Sequence, residues 1–304
     1  MAHATELPGA NRVLKDHPRL AITKGSFTYT VATVGDQSTY SVSDGAHTLS
    51  LPIRWSLGYG AQTWVLERDG KFYESLMSYY PIIDGLETTT GDEPIRPATL
   101  DQAMGRELSA SDTRSCFQCH ATDAVTNGQL TLQSLKPGVG CEHCHQGAGS
   151  HMDDANAGDF STAPPRLKAL TSEDISNFCG QCHRTWETVV RNRLRGEANV
   201  RFQPYRLANS KCFNGADPRI SCIACHDPHQ DVVRGTAAYD VKCLACHLTS
   251  GKPLSAKASA KACPVAKSDC VSCHMPKVNL PPSGHLRFTD HQIRVVRPGD
   301  TYPN

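Results

Sequence analysis

Apolar and polar residues alternate along the first third of the chain, and any such period is lost after it. Phe27-Thr28-Tyr29-Thr30-Val31 alternates and is rich in β-branched and aromatic residues, and Tyr40-Ser41-Val42 continues the pattern. A period of two marks strands with one buried face. Gln62-Thr63-Trp64-Val65-Leu66 and Lys71-Phe72-Tyr73 flank Arg68-Asp69-Gly70, and Asp-Gly between two such runs predicts a tight hairpin. Residues 21–96 are therefore expected to form a small β-rich unit. It should hold roughly four to six strands up to about residue 80, followed by a Pro- and Gly-containing linker. Residues 1–20, with Pro8, Pro18 and no apolar period, read as an extended N-terminal arm.

Residues 97–304 differ in texture. Ala98 to Leu108 predicts a short helix, and Thr171-Ser172-Glu173-Asp174 is a capping-type start for a helix running to about Arg195, before Gly196. Long irregular stretches separate these segments. No run approaches the roughly 20 apolar residues of a membrane-spanning helix. Nor does a secretory leader precede Ala2-His3-Ala4, so the chain reads as a mature or re-started form.

The cysteines explain the irregularity. Twelve of the 14 fall in six copies of Cys-x-x-Cys-His: Cys116/Cys119/His120, Cys141/Cys144/His145, Cys179/Cys182/His183, Cys222/Cys225/His226, Cys243/Cys246/His247 and Cys270/Cys273/His274. This is the attachment signature of c-type haem, in which two thiols bond the porphyrin and the adjacent His binds iron from one face. A zinc site would need ligands gathered in fours and no His after every second Cys. Six covalent haem c groups would supply the apolar core that the chain lacks. The expected fold is a haem-dominated multihaem cytochrome with short helices and little regular structure, over residues 97–304, behind the β unit. Motif starts step by 25, 38, 43, 21 and 27 residues, which argues against a solenoid. Cys212 and Cys263 remain, and haem attachment outside the cytoplasm allows them to form a disulfide or to stay as buried thiols.

Each iron needs a sixth ligand or stays open, and eight histidines lie outside the motif ends. His151 follows the glycine-rich Gln146-Gly147-Ala148-Gly149-Ser150, a loop able to return a His to a second haem. His229 in His226-Asp227-Pro228-His229 should reach a neighbouring iron rather than its own. His285 and His291 lie in a Pro-rich tail with little to do except wrap and ligate. His47, beside Gly45-Ala46, would tether the β unit, and His17 would act from the arm, on this chain or another copy. His143 and His3 are weaker candidates. Five methionines are also present, but the surplus of histidines makes bis-His ligation the simplest reading; Met ligation would raise the potential.

Charge adds one correction. The formal +1 moves to roughly −5 once six ferric haems with ionised propionates are counted. Neither a Lys/Arg cluster nor a recognition motif supports nucleic-acid binding.

Several stretches carry a family resemblance. Gly140-Cys141-Glu142-His143-Cys144-His145 with His151, Ser221 through His229, Cys270 through Lys277, and Phe288-Thr289-Asp290-His291 resemble the multihaem c-type cytochromes grouped with the tetrahaem cytochrome of ammonia oxidisers. The similarity covers about residues 110–295. It implies distal-ligand roles for His151, His229 and His291, and haem pairs stacked in parallel or set near-perpendicular. The chain departs from that family in having six motifs and a β unit. That unit, with Trp55-Ser56-Leu57-Gly58-Tyr59-Gly60, is similar to the strand-rich lead-in of larger multihaem cytochromes of environmental bacteria.

The expectation is a periplasmic or extracellular electron carrier without a membrane span, either a shuttle or a polymerised filament. Its partners would be other redox proteins or copies of itself. The competing reading is a multihaem oxidoreductase with one open iron acting on a small nitrogen compound. Every motif ends in His rather than Lys, and the spare His outnumber the vacant iron positions, which weighs against it.

Overall fold

The computed structural model describes residues 1–304 apart from 2, 146, 165–169, 217–218, 248–262, 283 and 304. The chain divides into two compact units, Met1–Pro165 and Arg166–Asn304. The division falls between the second and third Cys-x-x-Cys-His motifs.

The first unit is built on an antiparallel sheet. Its strands are β1 (Thr5–Glu6), β2 (Arg19–Lys24), β3 (Phe27–Val34), β4 (Gln37–Ser43), β5 (Thr48–Leu57), β6 (Thr63–Arg68) and β7 (Lys71–Ser75). A separate hairpin joins β8 (Met77–Tyr80) to β9 (Gly85–Thr88), and β10 (Gly105–Glu107) closes the main sheet. The order is β10-β7-β6-β5-β4-β3-β2, with β1 paired to β5. Alternation works as the sequence implies: Phe27, Tyr29, Val31, Tyr40, Val42, Leu51, Ile53, Trp64 and Leu66 face one core. The Asp69-Gly70 hairpin forms between β6 and β7, with both residues in the left-handed region at φ 53° and 73°, as a two-residue turn requires.

Several expectations change: seven strands, β2 to β8, lie before residue 81 rather than four to six, and β9 falls in the expected linker. Residues 1–20 are not an extended arm. They form β1, a 3₁₀ turn (Pro8–Ala10) and the helix α1 (Arg12–Asp16). Asn11 caps that helix by accepting from the Leu14 amide, and Leu14 is fully buried in the sheet's core. The helix before the first motif is also short. The helix α2 (Leu100–Met104) ends at Gly105, and the chain passes into β10 before α3 (Ala110–His120). Gly105 has φ 135°, and a Cβ there would lie 1.9 Å from the Glu74 carbonyl oxygen, so β10 approaches β7 closely because the residue is glycine.

The rest of this unit is short elements. They are β11 (Ala121–Thr122), β12 (Val125–Thr126), β13 (Gln129–Leu130), β14 (Lys136–Pro137), α4 (Cys141–Cys144) and α5 (Ala148–Asn156).

The second unit holds α6 (Ser172–His183), α7 (Trp186–Arg191), α8 (Gln203–Ala208), α9 (Cys222–Cys225), α10 (Asp240–His247), α11 (Cys270–His274) and the hairpin β15 (Lys277–Asn279) with β16 (Arg287–Thr289). The capping box at Thr171 and Asp174 is present. The helix expected to reach Arg195 stops instead at His183. Arg184 takes φ 66°, and Thr185 caps α7 by accepting from the Thr188 amide. Gly180 lets Thr185 fold back, since a Cβ there would meet Thr185 Cγ2 at 2.8 Å.

Candidate haem centres

The first motif is positioned by the outer face of the sheet. Between Ile53 and Trp55 the β5–β6 register slips by one residue. Such a bulge re-aims the side chains beyond it. Ile53 and Leu66 face the main core, whereas Trp55 and Val65 turn to the other face. There Trp55 meets Phe117, the second residue of the first motif, edge-on at 4.9 Å between ring centroids, and Phe72 at 5.3 Å. Leu108, Ala121 and Ala124 complete that cluster. Arg106 of β10 bridges Glu74 at 2.7 Å and Asp112 in the first turn of α3 at 3.1 Å.

At the end of α3, His120 Nδ1 lies 2.8 Å from the Ala4 carbonyl oxygen. A carbonyl only accepts, so Nδ1 carries the proton and the neutral ring leaves Nε2 as its lone-pair nitrogen. His274 Nδ1 donates in the same way to the Arg294 carbonyl at 2.9 Å, and His291 Nδ1 to the Thr289 carbonyl at 2.9 Å. This is the arrangement that prepares an imidazole for a metal.

The attachment cysteines share one spacing but not one environment. Cys116 and Cys119 in α3, and Cys179 and Cys182 in α6, are half-buried. Cys273 in α11 is exposed instead, although its partner Cys270 is half-buried, and its thiol accepts from Ser272 Oγ at 3.8 Å. Cys141 and Cys225 are exposed as well, beside the half-buried Cys144 and Cys222. The cause lies in the helices that carry them. Four-residue and five-residue helices such as α4, α9 and α11 have no second turn to pack over a thiol, whereas α3 and α6 run 11 and 12 residues.

The second motif is tied to the segment after the first. Thr122 Oγ1 donates to the Gly138 carbonyl and accepts from the Gly140 amide. Lys136 bridges Asp123 at 2.9 Å and Glu142, inside the motif, at 2.7 Å. His151 is not on a glycine loop. It lies in α5, which starts after Gly147 at φ 79°, while Gln146 falls outside the described residues. Its Nδ1 is buried without a hydrogen-bond partner among the described residues.

In the second unit the motifs approach one another in pairs. The Cys222 thiol lies in hydrogen-bond reach of Cys179, which lowers its pKa, and Cys243 lies in reach of Cys270. Burial pushes the Cys270 thiol up to about 11, with Asp240 and Cys243 adding to it. Asp240, the first residue of α10, accepts from the Asp269 and Cys270 amides at 2.6 and 2.8 Å, so the fifth motif caps the helix of the sixth. The ring of His226 faces that of His291, with centroids 6.1 Å apart. Part of the His291 residue faces solvent, yet its ring is desolvated. Burial pushes its pKa down to about 4, and His226 and His183 add repulsion. His291 is thus held in the neutral form that iron takes.

Other expected ligands stand elsewhere. His47 sits on the β4–β5 turn with its side chain 80% exposed beside Asp44. The β5 strand carries it roughly 30 Å from Leu57, which pairs with Thr5, next to the His120 contact. His229 is 74% exposed beside Asp227. His17 is held by Tyr79 at 3.3 Å and Asp84 at 3.4 Å. His285 lies in the loop between β15 and β16, half-buried. His145 is half-buried, whereas His183 and His247 are exposed at their helix ends. Cys212 and Cys263 form no disulfide. Cys212 lies beside Cys243 and Cys246, whereas the Cys263 thiol accepts from the Ala266 and Val265 amides.

The donors present fit haem c. Thiols stand with two residues between them on helices, the adjacent imidazoles of two motifs are locked through Nδ1, and apolar side chains such as Ile223, Val232, Val233 and Val241 are exposed. No grouping of three or more His, Cys, Asp or Glu among the described residues would hold a bare metal ion.

The family described as cytochrome c554 and c-prime matches residues 89–146, a stretch that contains the first two motifs. No curated protein and no solved structure matches the chain. No helix among the described residues is long and apolar enough to cross a membrane. The match spans residues 89–146 of 304 and supports a c-type cytochrome carrying covalent haem c in electron transfer.

Proposed function

We propose that the chain is a hexahaem electron carrier with mostly bis-His, low-spin irons, working in the periplasm or outside the cell. Haem would be bound through Cys116 and Cys119, Cys141 and Cys144, Cys179 and Cys182, Cys222 and Cys225, Cys243 and Cys246, and Cys270 and Cys273, each pair with the following His on iron. The observation that carries this reading is the His226–His291 pair. Their ring centroids stand 6.1 Å apart, and His291 Nδ1 is committed to the Thr289 carbonyl, which leaves Nε2 as the nitrogen able to bind a metal. His226 and His291 would both hold the iron of the fourth haem. His151, whose Nδ1 is buried without a partner among the described residues, would serve another iron.

Bound haem c supplies one-electron chemistry with little rearrangement when both axial positions are filled. The chain's part is spacing, ligation and exclusion of water. The contacts between Cys179 and Cys222, and between Cys243 and Cys270, support short distances between neighbouring haems in the second unit. Electrons would pass between these haems, to redox partner proteins or to further copies of the chain in a filament.

One observation favours a second reading. His47 and His229 face solvent beside their own aspartates, so the distal set is thinner than the count of histidines implies. An iron left open in this way would suit an oxidoreductase acting on a small nitrogen compound. Mass spectrometry of the intact protein with a haemochrome assay tests the primary reading: six covalent haems support it, and fewer than six contradict it. The His291→Ala protein should then hold six haems and bind carbon monoxide at one iron more than the unaltered protein.

A further inference from the structure

A buried ion cluster in the second unit is left unexplained by haem attachment. Arg206 of α8 and Asp290, just after β16, are both fully buried. Arg206 Nε and Nη2 donate to Asp290 Oδ1 and Oδ2 at 2.8 and 2.9 Å, a two-pronged pair of the kind arginine forms with a carboxylate. Arg294 Nη1 donates to the same Oδ2. The third prong of Arg206, Nη1, reaches the Pro303 carbonyl at 2.9 Å, and its guanidinium lies 4.5 Å from the Tyr302 ring centroid. Burying charge is expensive, and removing one partner of such a pair leaves the other charge uncompensated.

What the cluster specifies is the segment from Asp290 to Arg294. Asp290 Oδ1 also accepts from the Gln292 amide at 3.1 Å. Ser210, two residues past α8, donates through Oγ to the His291 carbonyl at 3.2 Å and accepts from the Ile293 amide at 2.8 Å. The Asp290 amide donates to the Pro276 carbonyl at 2.9 Å, and the Arg294 amide to the His274 carbonyl at 3.2 Å. The Arg294 carbonyl in turn accepts from His274 Nδ1. One five-residue segment therefore carries the imidazole that faces His226 and also orients the imidazole of the last motif.

We infer that Arg206, Asp290 and Arg294 are positioning residues that hold, through one rigid segment, iron ligands of two different haems: His291 opposite His226, and His274 of the sixth motif. The inference rests on the haem reading above. Its consequence is that the fourth and sixth irons share a support. The Arg294 carbonyl, by accepting from His274, also tunes how strongly that imidazole donates to iron.

The test compares Ser210→Ala, Arg206→Lys and Asp290→Asn with the unaltered holoprotein, by haem count, EPR, carbon monoxide difference spectra and redox titration. Ser210→Ala loosens the segment without stranding a buried charge, and Arg206→Lys keeps the charge but loses the fork. These two carry the test if Asp290→Asn does not assemble. The expected result is six haems in each variant, with one iron turning from low-spin to carbon monoxide-binding. A second iron changes its midpoint potential, and the other four keep theirs. Arg206→Lys should show the same pattern in weaker form. Six unchanged low-spin irons with unchanged potentials would overturn the inference, as would an equal drift of all six or a change confined to one. Fewer than six haems in the unaltered protein would instead overturn the haem reading.

Discussion

A single extra residue in β5 decides where the first haem motif docks. Without the slip at Arg54, Trp55 would share the main core with Ile53; with it, the indole turns outward to Phe117. Trp55→Ala should destabilise the first unit by about 3–5 kcal/mol through the cavity it leaves. A thermal melt should show this, with a changed spectrum for the first haem and unchanged spectra for the last four. The Cys-x-x-Cys-His residues are legible in the sequence because the chemistry needs them contiguous. Their surroundings are not: the same spacing leaves Cys119 and Cys182 half-buried and Cys273 at the surface. Nor are their supporting residues. The Trp55–Phe117, Arg206–Asp290 and His274–Arg294 contacts join positions far apart along the chain, and no local pattern announces them. Similarly, the placement of His47 and His229 at the surface beside Asp44 and Asp227 is a tertiary fact that sequence spacing does not announce.

Elements are legible where their signals are local. The Asp69-Gly70 hairpin and the Thr171/Asp174 capping box each depend on residues within a few positions. Helix ends governed by packing are not: α6 stops at His183 because Arg184 and Gly180 let Thr185 fold back. The expected arm is β1 and α1 because Leu14 finds a place in a core built by later strands. Gly105→Ala should cost on the order of 3 kcal/mol, since it adds a Cβ both at positive φ and against the Glu74 carbonyl. Circular dichroism melts would register it as a loss confined to the first unit. Asp240 links two motif helices by accepting from the Cys270 and Asp269 amides, which hold its carboxyl below the ordinary range. A depressed carboxylate stabilises above its unfolded pKa of about 3.9 and loses that contribution as pH falls through its lower folded value. The spectra of the last two haems should therefore stay constant from about pH 8 to 5. Asp240→Ala should produce at neutral pH the change that acid produces in the unaltered protein.

At the scale of the whole molecule, the sheet and the haem motifs are different solutions to burying apolar surface. The first unit buries aromatic and aliphatic side chains against a sheet, and its α3 docks the first motif on the outer face. The second unit has short helices, paired thiols and outward-facing valines, and in the proposed hexahaem carrier porphyrin would complete its core. The two-residue period and the Cys-x-x-Cys-His count make this contrast legible in advance. They do not reveal the break near residue 165, which separates two motifs from four. In the proposed carrier the irons are mostly closed by histidine on both sides and pass electrons without binding substrate. Low-temperature EPR of the air-oxidised protein, with the absorption spectrum of the reduced form before and after carbon monoxide, tests it most directly. The account predicts low-spin signals throughout and no spectral change with carbon monoxide. A high-spin signal together with carbon monoxide binding would contradict it and mark an open iron fit for enzymatic work.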